Sequence, residues 1–153
     1  MKSVTIPRCV AAKDTASTAA VELHHFCDTS GNAYAAVTYL RVEQANGEIH
    51  CAYAYRKACL SPLKGATIPR LELQAAVLAV DNHLMIVEEM TLSFDAVYFW
   101  SDSMVLGWIK SDDAKLPKYI ERRVTSICEA SGVEQWRHIT RCQPCRCRYT
   151  RQL

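Results

Sequence analysis

Three carboxylates carry the chemical promise of this chain: Asp28, Glu72 and Asp102. Asp28 closes one apolar, strand-like run, and Asp102 follows another, Asp95–Ser101. Glu72 lies between them in Thr67–Ala76 (Thr-Ile-Pro-Arg-Leu-Glu-Leu-Gln-Ala-Ala), where Pro69 suits a first helical turn and strong helix formers follow. A carboxylate in the first turn of that helix is stabilised by the helix N-terminus, which would explain Glu72 without any function. Asp102 has an equally plain explanation as the N-cap of the helix behind it. If the two strands are parallel neighbours, however, both aspartates reach one sheet edge, and open α/β sheets bind ligands at the carboxyl ends of their strands. With Glu72 they would form a trio whose mutual repulsion calls for cations. Hard oxygen donors favour Mg2+ or Mn2+.

The elements that must position these acids follow from periodicity and turn chemistry. Residues 1–20 show little pattern and read as a lead-in to a domain spanning 21–140. Val21–Asp28 alternates and predicts a strand, Thr29–Asn32 is a turn cluster, and Ala33–Val42 predicts a second strand. Asn46-Gly47 is a strong hairpin signal, so Glu48–Lys57 returns as a third. A helix is expected from about Arg70 to Met90, its buried stripe formed by Leu73, Val77, Val80, Leu84 and Val87. Asp95–Ser101 is a short strand, Ser103–Lys110 and Pro117–Ala130 are helices, and Glu134–Thr140 is a fifth strand. The order β-β-β-α-β-α-α-β predicts an α/β (mixed α+β) fold, in which a three-strand antiparallel meander joins βα units in a five-stranded mixed sheet covered by helices.

The chain has 153 residues, enough for one domain with a real core, and half of them are apolar. A formal charge of +2 gives no strong electrostatic signature of nucleic-acid binding, although a nuclease with an acidic site could look the same. Eight cysteines would suit a secreted disulfide scaffold, but Met1–Arg8 lacks an apolar signal segment and no run reaches transmembrane length. The expectation is therefore an intracellular chain with mostly reduced thiols and no membrane partner. Cys27, Cys51 and Cys59 are then small core residues in or beside the strands.

Phe26–Leu40 (Phe-Cys-Asp-Thr-Ser-Gly-Asn-Ala-Tyr-Ala-Ala-Val-Thr-Tyr-Leu) resembles the first motif of a ribonuclease H-like domain. Lys57–Ala76 is more specific and resembles the ribonuclease H region of BEL/Pao-type retrotransposon polyproteins. Phe99–Ile109 is similar to that family's third motif, and Gln135–Ile139 to its last strand. The resemblance implies a ribonuclease H fold following a reverse transcriptase region in a polyprotein that also carries an integrase region. It would act in the cytoplasm, in retroelement particles. The implied reaction is hydrolysis of the RNA strand of an RNA–DNA hybrid by two divalent ions about 4 Å apart. Asp28 would bridge both ions, Glu72 and Asp102 would each ligate one side, and Ser101 and Ser103 would support them. The hybrid would be read through backbone shape and 2′-hydroxyls, with Lys57, Lys64 and Arg70 as phosphate contacts.

One part of the pattern is missing. The family places a fourth acid after the last strand, in a segment resembling Asn-Pro-Ala-Asp-x-Ala-Thr-Arg-Gly, whereas this chain has no Asp or Glu after Glu134. Residues 141–153 instead carry three cysteines and four arginines. Cys142, Cys145 and Cys147 with His138 fit no closed zinc pattern well. A suitable choice of codons for 141–152, read one nucleotide later, spells Asp-Val-Asn-Pro-Ala-Asp-Val-Ala-Thr-Arg-Gly-Ser, so the tail reads as an out-of-frame scar. The expected enzyme is then impaired, and a non-catalytic retroelement remnant is the alternative. A third reading rests on Asp28-Thr29-Ser30-Gly31, which superficially resembles an aspartic peptidase motif but is spoiled by one residue and sits in the wrong element order.

Overall fold

The computed structural model describes residues 18–63, 67–110 and 116–139. Three long strands come first: β1 (Thr18–Thr29), β2 (Ala33–Gln44) and β3 (Ile49–Leu60). They pair antiparallel in sequence order, as the meander predicts. The β1–β2 turn is closed by the Ser30 N–H donating to Ala33 O at 2.7 Å. At the second turn Gly47 adopts φ +81°, a region that favours glycine, and the Asn46 side chain accepts from the Glu48 N–H at 2.8 Å. β1 starts three residues ahead of the expected domain boundary at 21.

Helix α1 (Ile68–Glu89) leads to β4 (Ala96–Ser101), the short α2 (Val105–Ile109), α3 (Lys118–Ala130) and, after a 3-10 turn, β5 (Trp136–His138). The sheet order is β3-β2-β1-β4-β5, with β4 parallel to β1 and β5 parallel to β4. The mixed five-stranded sheet with helices is the architecture expected from the element order. The expected lead-in up to residue 17, Lys64 and the tail 141–153 lie outside the described residues.

Among the described residues, the helices cover one face. Cys27, Ala36, Phe99 and Trp136 point from four strands into a core shared with Leu73, Ala76 and Ala79 of α1, Val105 and Ile109 of α2, and Ile127 of α3. The stripe of α1 differs from the expected one: Leu73 and Val80 are buried, but Leu84 is 50% and Val87 46% exposed. The buried arc instead takes in Ala75, Ala76, Ala79, Asn82 and Ile86. A helix that is apolar on several sides offers two stripes, and the one rich in alanine lets its backbone approach the sheet closely. Glu72 lies on that same arc, one helical step before Ala75 and Ala76.

Candidate active site

The site is built where β1 and β4 end. Phe26 pairs with Trp100 in parallel register, so two residues further on Asp28 stands level with Asp102. Side chains alternate along a strand, and Cys27 faces the helices. Asp28 therefore shares the opposite face with Phe26, and both aspartates line a concave pocket of about 660 Å³ with Phe26, Val37, Arg56, Lys57 and Trp100. Asp28 is exposed, and one of its oxygens accepts from the Thr29 N–H at 2.7 Å.

Glu72 approaches from the helix side. The helix starts at Ile68, earlier than expected, so Glu72 belongs to the second turn and no acid occupies the first. The N-terminal field falls off within the first turn, which leaves Glu72 without that purely structural explanation. All three acids lie within electrostatic range of Cys27. Burial pushes this thiol up to about 12, and the charges of Asp28, Asp102 and Glu72 all push it the same way. No three His, Cys, Asp or Glu side chains among the described residues stand close enough together to hold a metal ion. Carboxylate oxygens are the donors a hard cation takes, but as placed among the described residues the three acids do not form a ligand set for one.

The corner that carries Asp102 is pinned by its neighbours. Ser101 and Ser103 are buried, and the Ser101 hydroxyl donates to Ser103 Oγ at 3.0 Å. Ser101 Oγ accepts from the Ser103 N–H, and Ser103 Oγ accepts from the Val105 N–H, each at 3.2 Å. The serines thus fix the strand-to-helix turn, and the first N–H of α2 is satisfied by Ser103. Of the expected phosphate contacts, Lys57 lies on the pocket wall. Arg70 is elsewhere, its guanidinium 5.0 Å from the centre of the Tyr119 ring. Arg56, which sequence reasoning passed over, is brought to the pocket by its pairing opposite Val37.

Several solved structures of similar shape are distant in sequence. RNase H1 from the halophilic archaeon Halobacterium salinarum is 16% identical, with 80% of this chain and 86% of that chain covered and a TM-score of 0.48. The N-terminal RNase H domain of a Mycobacterium tuberculosis protein is 12% identical, covering 80% and 84%, with a TM-score of 0.48. LC11-RNase H1, solved in complex with an RNA/DNA hybrid, is 16% identical, covering 79% and 86%, with a TM-score of 0.45. No curated protein matches the chain. No helix among the described residues is long and apolar enough to cross a membrane. The family model of the Pao retrotransposon-like RNaseH-like domain matches residues 1–103, a span holding β1 through the serine-pinned corner and with it all three acids, and the chain belongs to that family.

Proposed function

We propose that this chain is the nuclease domain of a retrotransposon polyprotein, hydrolysing the RNA strand of RNA–DNA hybrids formed during reverse transcription in the cytoplasm. Reverse transcriptase and integrase regions would be its covalent partners. One arrangement carries the reading: Asp28 and Asp102 level with each other at the ends of parallel strands, with the charge of Glu72 acting on the same buried thiol. Asp28, Glu72 and Asp102 would hold Mg2+ or Mn2+, which supply an activated water and neutralise the leaving oxygen. The chain's own side chains position the hybrid. Lys57 and Arg56 offer cations to the phosphates from the pocket wall, and the serine pair keeps Asp102 at its strand end.

Activity is reduced in this reading, because no acid follows Glu134 to complete the ligand set. A second reading, a non-catalytic remnant that only binds hybrid, is favoured by the lack of a metal-holding trio among the described residues. An aspartic peptidase is disfavoured by the helix-covered mixed sheet. Hybrid cleavage in Mn2+ separates these readings, comparing the chain as written, a frame-restored chain and its Asp28→Asn variant. Slow or absent cleavage that rises on restoring the frame and collapses with Asp28→Asn is the expected outcome. A restored chain that stays inactive, or one indifferent to Asp28→Asn, refutes the site.

A further inference from the structure

The sheet face turned away from the helices carries a row of aromatic rings that crosses four strands. Tyr53 on β3 meets Tyr39 on β2 edge-on, with ring centres 6.1 Å apart. Tyr39 meets Phe26 on β1 at 6.0 Å, and Phe26 stacks on Trp100 of β4 at 6.0 Å and 10°. Tyr39 and Tyr53 are 40% and 42% exposed. The inner end of the row is held rigid. The Trp100 indole N–H donates to His24 Nδ1 at 3.1 Å, which places the His24 proton on Nε2, 3.2 Å from Glu22. Arg41 donates in turn to Glu22 at 2.9 Å and to Glu43 at 3.0 Å. Such a chain of partly buried polar bonds fixes the indole plane beside the pocket that holds Asp28 and Asp102.

We propose that this face binds single-stranded nucleic acid, stacking unpaired bases on the Tyr53–Tyr39–Phe26–Trp100 row while Arg56, opposite Val37 on the same face, takes its phosphates. Rigid aromatic rings on a sheet, with a cation beside them, are what unpaired bases need, since every base has a π-face to stack. A duplex keeps its bases stacked on one another and cannot use the rings. Arg56 stands on the pocket wall, and the aspartates lie at the strand ends, so the strand's phosphates have a favoured side. The proposal rests on the nuclease reading only for the source of the ligand: removing RNA from a hybrid leaves a single DNA strand beside this pocket.

The test is anisotropy of labelled twelve-nucleotide oligodeoxythymidine and oligouridine in EDTA at low salt, with a duplex as competitor. EDTA keeps the outcome independent of cleavage, so a failure here leaves the Asp28→Asn experiment unaffected. Leucine preserves apolar bulk and removes the π-face, so the Tyr39→Leu/Tyr53→Leu chain should stay folded by circular dichroism and bind at least tenfold more weakly. Arg56→Glu should weaken binding several-fold, and Arg122→Glu, on the exposed side of α3, should not. The two oligonucleotides tell DNA from RNA, and either one binding in this pattern supports the proposal. It is overturned if neither binds, if the duplex competes equally, or if the leucine pair binds like the parent. A dimer in solution that the leucine pair dissociates also overturns it, assigning the face to a second copy.

Discussion

Acid should destabilise this fold through one buried histidine. His25 is 0% exposed, stacks on Phe99 with centres 4.8 Å apart, and meets His83 of α1 edge-on at 5.1 Å. Its Nδ1 is bonded to Thr38 Oγ1 at 2.8 Å, and its Nε2 has no partner. Burial, reinforced by His83 and His24, brings its pKa down from 6.5 to about 3. The folded state therefore holds the neutral ring, while the unfolded chain takes up a proton below about pH 6.5. The stability is fully present above pH 6.5 and is lost progressively as pH falls toward 3. Each pH unit in that window costs about 1.4 kcal/mol, so moving from pH 7 to 4.5 removes about 2.5 kcal/mol, a large share of a typical 5–15 kcal/mol. At this chain length that corresponds to a fall in Tm of roughly 5–10 °C. His24 and His83 are lowered too, chiefly by burial, and act in the same direction. The measurement is thermal unfolding at pH 7, 5.5 and 4.5 for the parent and for the double variant His25→Phe/Thr38→Val, which removes both hydrogen-bonding partners together. Carboxylate titration affects both proteins, so the difference isolates His25. A double variant with the parent's pH dependence would refute the argument.

Gly47→Ala should cost about 1 kcal/mol, because its φ of +81° strains any side chain, whereas Gly31→Ala has open space and should be near neutral; chemical denaturation of both variants checks the contrast. Phe99→Ala removes a ring stacked between His25 and Trp136 at the centre of the core and should cost about 3–5 kcal/mol, measured as a shift in urea midpoint at constant slope. Cys27, with its thiol pushed up to about 12 and its side chain buried, should resist iodoacetamide at pH 8 in the folded protein and react on unfolding. Peptide mapping of the labelled cysteines reads this out, and rapid native labelling of Cys27 would contradict its place under α1.

The sequence determined the elements and their order by local physics. Alternation, Asn46-Gly47 and the Pro69 start are signals within a few residues, and they specify strands, a hairpin and a helix wherever the chain goes. The family motifs carried the acids with them, so Asp28, Glu72 and Asp102 could be named before any geometry existed. Tertiary structure decided what periodicity leaves degenerate. It chose the alanine arc of α1 over the stripe ending in Leu84 and Val87, because close approach to the sheet favours small side chains over large ones. It also moved the helix start to Ile68, which put Glu72 on the sheet-facing arc of the second turn. The pairing of β1 with β4, seventy-odd residues apart, brought Asp28 level with Asp102 and Trp100 onto Phe26. Pairing across the meander carried Arg56 to the pocket wall. Those contacts depend on which strands become neighbours, a choice made by the packing of the whole sheet and absent from any local stretch of residues.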